Sequence, residues 1–490
     1  MSTTTASETA AAGADRAQSP WRVVGASLVG TTLEWYDFFL YGTAAAVVFP
    51  KVFFVKADPL TGTLLSFLTY ALGFAARPLG GIFFGNLGDR IGRKRALFMT
   101  LVVMGAATTL IAAVPSYAAI GVAAPILLTT LRMVQGFALG GEWGGAVLIV
   151  AEQDRGRRGF WASWPQAGAP LGNVLGTGVI LLLSQNLSES AFLSWGWRIG
   201  FALSALLMIV GLWVRASLHE TEAFRQSLAR REATRATAKP PVVEVLQSSW
   251  KQLLTAFGAR MAENISYYVI TAFILVYVVD FLKLPKSFGL DAVLIGSAVE
   301  FALIPLFGSL SDRVGRRPVY LAGAIGIGVW TPFFFGMLNS RSYPQAVAAV
   351  TIALAFHGLM YAPQAAFFAE LFATNVRYSG ASIGYQVASI AAGAPAPLIA
   401  VAVLQHNGGK TPTLLAIYLG AAALLTLIAV LAARETRATD LVAEVGPEQA
   451  AEALAGSRAV PTSSGASMLQ SPASVSSAGS NSAPRPEPTA

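Results

Sequence analysis

The phrase GNLGDRIGRKR at residues 85–95 returns as GSLSDRVGRRP at residues 308–318. Each copy closes one long apolar stretch and opens the next. A single copy reads as an ordinary charged turn. Two copies, in matching places of two apolar halves, mark an internal duplication, and duplicated apolar bundles of this layout move solutes across membranes.

Composition points to the same solvent. The chain has 490 residues, 54% of them hydrophobic and only 12% charged, with a mean hydropathy of +0.57. Soluble domains carry about 25% charged residues, and a water-soluble surface this apolar would aggregate. There is no cysteine, which excludes disulfides, thiolate nucleophiles and Cys-ligated metals. The three histidines (His219, His357, His406) are scattered, so no metal site and no cofactor is expected. No nucleophile–base pair or phosphate-cradling loop is present, so an enzyme is not expected.

Apolar stretches of about 20 residues cross a bilayer. Twelve occur, near 22–49, 60–85, 95–114, 119–151, 160–185 and 196–215, then near 251–281, 289–310, 318–337, 345–371, 379–405 and 412–433. The expected fold is an all-α membrane protein with twelve transmembrane helices in two pseudo-symmetric six-helix bundles, 21–215 and 251–435. Residues 216–250 contain ETEAFRQSLARREATRATAKPP and read as a cytoplasmic linker. Residues 1–20 show no cleavable signal pattern and are expected to be a disordered N-terminal tail, the first span serving as an uncleaved anchor. Residues 436–490, rich in Ala, Ser, Pro and Glu, are expected to be a disordered C-terminal tail.

Basic residues set the direction. With both termini in the cytoplasm, Arg90/Arg93/Lys94/Arg95, Arg155/Arg157/Arg158 and Arg313/Arg316/Arg317 fall on one side. The opposite connections hold only Lys51, Lys56, Lys283, Lys286, Arg341 and Lys410. The net charge of +8 is thereby explained by a rim facing anionic lipid, without nucleic acid as a partner.

Ionised side chains at bilayer depth are costly and usually line a polar path. Glu34, Arg77 and Arg132 each fall about 18–20 Å along their helices at 1.5 Å per residue, near the middle of a core about 30 Å thick. Glu34, Asp37 and Tyr41 share one face of the first span. Desolvation and a neighbouring guanidinium act on such a carboxylate in opposite directions, so its protonation can answer to a substrate. The alternative is a static Glu–Arg pair that locks helices. Arg77 and Arg132 suit a substrate carboxylate, which a guanidinium grips with two parallel bonds. Glu142 reads as structural or gating, and Arg198 as an interfacial charge or a cavity residue.

The second half offers Glu263 and Asn264, Glu300, and His357, Tyr361 and Gln364, with Glu263 and Glu300 as further proton-coupling candidates and Tyr361 and Gln364 as substrate-binding ones. Glu300 precedes Asp312 by the same interval as Arg77 precedes Asp89. Either Glu300 and Arg77 line opposite walls of a pore, or Glu300 belongs to an internal lock. His357 is either a titrating group or a hydrogen-bonded packing residue. Gln166, Asn173 and Gln386 are candidates for hydrogen bonds to a hydroxylated solute. Asp89 and Asp312 suit the capping of helix ends and pairing with arginines such as Arg93 and Arg316, as gate residues rather than binding residues.

The paired GxLxDRxGRR-type phrases resemble the signature of the major facilitator superfamily. EWYDFFLYG (34–42), RPLGG (77–81), RxxQGFxxGGEWGG (132–145), SWGWRI (194–199) and ELFATNVRYSGASIGYQ (370–386) are similar to its metabolite:proton symporter branch, most of all to the shikimate permease group. The likeness spans roughly residues 20–435. One difference stands at Ala373 and Asn375, where the family usually has Pro and Arg. The resemblance implies alternating access in a bacterial cytoplasmic membrane, with a small organic acid and a proton as partners. It implies Glu152, Arg158, Glu370 and Arg377 as members of the gate, and a monomer. The branch also holds proline and betaine permeases. Exporters share the superfamily, and a solute sensor signalling through the tail is the remote alternative.

Overall fold

The structure is a computed structural model describing residues 20–91, 93–140, 156–216, 241–373, 376–406 and 412–439. All the long elements among these residues are helices. The first half contains α1 (Pro20–Val47), α2 (Pro59–Ile91), α3 (Arg93–Ile111), α4 (Ala123–Leu139), α5 (Arg158–Asn186) and α6 (Trp197–Ala216). The second contains α7 (Trp250–Tyr268, running on through π-helical turns to Phe281), α8 (Lys286–Val314), α9 (Arg316–Asn339), α10 (Tyr343–Leu371), α11 (Arg377–Ala388, continuing past a π turn to His406) and α12 (Thr413–Ala432).

Nine helices among the described residues are long and apolar enough to cross a membrane. Their flanks expose large apolar side chains: Trp213 is 74% exposed, and Ile82, Leu182, Leu306 and Val329 stand out similarly. Such flanks are stable in hydrocarbon and not in water. Pro20 and Pro59 open α1 and α2, where a missing N–H costs nothing. Prolines stand inside several of these helices, including Pro78, Pro305 and Pro363, as membrane-spanning helices tolerate.

The duplicated phrase is not the loop that its composition suggests. In the first copy α2 runs to Ile91 and α3 begins at Arg93. In the second, α8 runs to Val314 and α9 begins at Arg316, the break falling on Gly315 with φ of 107°, which a side chain would strain. The phrase is thus two helix ends meeting at one residue.

The halves pack chiefly through α5 against α8, and α2 also meets α11. Within the halves, α1 lies on α5 and α6, α2 on α4, and α10 between α8 and α9. Below, the end where α2 meets α3 and α8 meets α9 is called the basic end.

Candidate functional site

Arg132 of α4 and Arg77 of α2 are 1% and 2% exposed. Their guanidinium groups lie in a box of rings. Arg132 sits 4.3 Å from the Tyr41 ring centre, 4.6 Å from Phe38 and 4.7 Å from Tyr70. Arg77 sits 4.3 Å from Phe74 and 4.7 Å from the same Phe38. Tyr268 enters this box from α7, 5.6 Å from Phe74 and 6.1 Å from both Phe38 and Tyr70. Both cations therefore stand where the halves meet.

Ring faces contribute about 2 kcal/mol to a desolvated cation, far less than the cost of burying a charge without a counter-ion. Arg132 Nη1 donates to Gln135 Oε1, and Gln135 Nε2 donates to Thr108 Oγ1 at 2.8 Å. The Nε and Nη2 atoms of both arginines are buried and find no acceptor among the described residues. Among the described residues neither arginine makes a salt bridge. The arrangement is electropositive, buried and, among the described residues, short of acceptors.

Asp37, on α1, is buried and accepts from Ser204 Oγ of α6. Thr108 receives Gln135 and donates to the Met104 carbonyl at 2.9 Å. Glu34 is buried one turn away on α1. Tyr41 bonds Thr69 at 2.7 Å, which fixes its ring beneath Arg132.

The second half holds a compact cluster. Arg260 of α7 lies 3.4 Å from the Tyr385 ring centre, donates to Gln364 Oε1 at 3.0 Å and pairs with Glu263 at 3.5 Å. Gln364 also donates to Glu263 at 3.1 Å and to the Tyr320 hydroxyl at 3.0 Å. His357 Nδ1 contacts Glu300 Oε1, and its Nε2 is 3.5 Å from Glu263 Oε1. Glu300 thus contacts His357 within its own half. Gln364 is occupied by protein partners, while Gln166 donates across the halves to the Tyr361 carbonyl at 3.3 Å. Asn173 donates to Ser297 at 2.9 Å. The Oε1 of Gln386 is buried without a hydrogen-bond partner among the described residues. Arg260 was not singled out from sequence; its position three residues before Glu263, on one helix face, was the available signal.

At the basic end, Asp312 of α8 accepts from the backbone N–H of Gly159 at 2.7 Å and Phe160 at 2.8 Å. These are orphan donors of the first turn of α5, in the other half. Arg316 Nη1 donates to Asp312 at 2.7 Å, and Glu370 accepts from Arg316 Nη2 at 3.0 Å and from Arg158 Nη1 at 2.8 Å. A Cβ on Gly308 would stand 2.5 Å from the Gly159 carbonyl and from Ser163 Oγ, so only glycine allows this approach. The segment after α12 joins the cluster. Thr436 donates to Glu370 at 2.7 Å, and the Thr439 carbonyl accepts from Arg158 at 3.2 Å, so these residues, expected in the tail, are packed. Burial opposes ionisation of Glu435, yet the N–H groups of Arg316, Arg437, Arg317 and Thr436 hold it below the usual carboxylate range. Arg377 is buried at the start of α11. Glu152 and Glu142, the 217–240 part of the linker, Asn375, the tails 1–19 and 440–490, and the side chains of Asp89 and Arg93 lie outside the described residues.

At the opposite end, Glu189 accepts from Lys51 at 3.0 Å and from Lys286 of the second half at 2.6 Å. Arg198 donates to the carbonyls of Ala112 and Val114, both at 2.6 Å, beyond the end of α3. Both ends are thus bridged around the buried arginines.

Comparison with known proteins gives this arrangement its class. Residues 23–443 match the sugar (and other) transporter family model. The chain is 40% identical over 414 residues to the shikimate transporter of Escherichia coli, covering 84% of this chain and 94% of that protein. It is 40% identical over 424 residues to the inner membrane metabolite transport protein YhjE of the same organism (85% and 94% covered). It is 36% identical over 424 residues to the Escherichia coli proline/betaine transporter (85% and 83%). A crystal structure of a D-xylose–proton symporter superposes with a TM-score of 0.68 at 15% identity, covering 86% of this chain and 99% of that one, which establishes the shared fold. The chain belongs to the sugar (and other) transporter family of the major facilitator superfamily. It is a multi-pass bacterial inner-membrane transporter of metabolites, and not an enzyme.

Proposed function

We propose that this carrier takes up a small organic acid, shikimate-like or a dicarboxylate, together with a proton. The two six-helix bundles rock about the ring-lined arginines, opening the basic end and the opposite end in turn. Both termini are cytoplasmic, because the Arg-rich connections share the basic end. Residues 216–250 link the bundles, the terminal segments serve as tails, and the carrier works as a monomer. Arg77 and Arg132 bind the carboxylate, with Tyr41 positioning Arg132. Gln166, Tyr361, Gln364 and Gln386 complete the chamber wall from both halves. Asp37, with Glu34 beside it, holds the proton on the first-half side. Asp312, Arg316, Glu370 and Arg158 form the inner gate, with Asp89, Arg93, Glu152 and Arg377 as its remaining members.

The observation that carries this reading is the pair of buried guanidinium groups with unused donors and no carboxylate partner among the described residues. An arriving carboxylate supplies the missing acceptors. The likeness to a proline/betaine transporter keeps a zwitterion in view. However, two guanidinium groups already sit against Phe38, Tyr41, Tyr70 and Phe74, so a quaternary ammonium would meet two fixed positive charges in this box.

The test is accumulation of radiolabelled shikimate and a set of di- and hydroxycarboxylates by proteoliposomes. An inward proton gradient should drive accumulation, an uncoupler should collapse it, and Asp37→Asn should abolish accumulation while sparing exchange. Accumulation indifferent to the uncoupler would refute proton coupling. Uptake of betaine alone would refute the acid.

A further inference from the structure

We infer that Glu263, His357 and Glu300 form a second proton-carrying site, in the second half, so that each cycle moves two protons. The inference rests on the proton-coupled reading above and adds a site that reading does not use.

The geometry is a single imidazole held between two buried carboxylates from two other helices. His357 of α10 touches Glu300 of α8 through Nδ1 and lies 3.5 Å from Glu263 of α7 through Nε2. The remaining groups around it can be named helix by helix. From α7 come Arg260, paired with Glu263, and Tyr267, whose ring is 4.6 Å from the imidazole. From α10 comes Tyr361, stacked at 5.2 Å. Tyr320 of α9 reaches Glu263 through Gln364, and Tyr385 of α11 lies under Arg260. From α5 come only the uncharged Gln166 and Asn173.

The charge count decides the chemistry. Arg260 offsets one carboxylate. With a neutral imidazole, the cluster carries one uncompensated negative charge in a buried setting. One added proton cancels it. Arg260 Nε, the Tyr267 hydroxyl, Glu300 Oε2 and His357 Nε2 are buried without a hydrogen-bond partner among the described residues, and of these the carboxylate oxygen and the imidazole nitrogen can take on a proton. These are the positions where a proton is taken on and given up. The three groups share it, so they titrate as a unit rather than as separate residues.

The cluster also borders the chamber. Tyr267, whose ring is tilted against His357, packs against Phe39 of α1 at 5.3 Å, and Tyr268 beside it enters the arginine box. A π-helical turn, Val269–Phe273, begins directly after them, a feature that recurs at functional sites because it gives a helix local play. Motion of α7 on substrate arrival would therefore reach the cluster. With Asp37 as the first site, a monoanion would enter with two protons and carry one net positive charge.

The experiment needs no identified substrate. Full-length protein in a supported membrane is given a pH jump, and the transient charge displaced by proton binding is recorded. Glu300→Gln and His357→Gln should each reduce that charge to about half, as should Asp37→Asn, while Asp37→Asn/Glu300→Gln should abolish it. Glu263→Gln serves where either of the first two proves unstable. Unchanged charge in monodisperse Glu300→Gln and His357→Gln would overturn the second site, as would complete loss in Asp37→Asn alone. A transient following a sodium jump at constant pH, lost in Glu300→Gln, would reassign the site to a metal cation. Because no solute is present, these outcomes are separate from those of the uptake assay.

Discussion

Asp312→Ala should open the basic end. The carboxylate caps α5 through two backbone N–H groups at 2.7 and 2.8 Å and receives Arg316 at 2.7 Å. Losing a cap of this kind costs about 0.5–2 kcal/mol. The bond from Arg316 lies within the second half and survives opening, so it adds nothing to the difference. The closed arrangement should therefore lose about 0.5–2 kcal/mol, a shift of about 2- to 30-fold toward the open form. The chain has no cysteine, so spin labels can be placed at will. Labels at Arg157→Cys and Val314→Cys, both exposed, flank the contact on opposite halves. Pulsed electron spin resonance should show a longer-distance population in Asp312→Ala and a smaller one in Asp312→Asn, which keeps one acceptor oxygen. An unchanged distance distribution in folded Asp312→Ala protein would refute the view that this contact holds the halves together.

Other consequences follow from the same contacts. Gly308→Val should wedge the basic end apart, since its Cβ would stand 2.5 Å from two atoms of α5; a cost of about 1–3 kcal/mol should lower the yield of the short-distance form in the same measurement. Glu189→Gln should weaken the opposite end only slightly, by about 0.2–1 kcal/mol, because its side chain is 53% exposed; labels across that end should shift by less than about fivefold, and high salt should mimic the variant. Glu435 has a depressed folded-state pKa, so its contribution is complete above the ordinary carboxylate value of about 4.3 and is lost as pH falls through the folded value. A spin label at Ala438→Cys should therefore be immobile at neutral pH and mobile in acid, and Glu435→Gln should make it mobile throughout.

The fold was largely legible because a bilayer dictates span length and charge asymmetry, and both are written along the chain. The twelve expected stretches match the twelve helices to within a few residues wherever these are described. The duplicated phrase misled in one respect. Its charges suggest a loop, but helix ends carry charges equally well once the opposite half supplies N–H donors, as α5 does for Asp312. Depth along a helix was also readable, which is why Arg77, Arg132 and Glu300 were identified as buried charges. Rotation about the helix axis was not. Equal depth made Glu300 look like the counterpart of Arg77, whereas its face turns to His357, and Arg77 turns to Phe38 and Phe74. Arg260 escaped notice because the polar WKQ that opens α7 makes it resemble part of a wet helix end. Only packing reveals that it is fully enclosed, beneath Tyr385 and beside Gln364.

The most direct measurement is thermal stability of the purified carrier against matched sets of carboxylates, their methyl esters and betaine. An anion carrier built on Arg77 and Arg132 should be stabilised by one or more free carboxylates, not by the corresponding esters, and the stabilisation should vanish in Arg77→Ala and Arg132→Ala. Equal stabilisation by acid and ester, or a shift that survives in both variants, would contradict the role given to the two buried guanidinium groups.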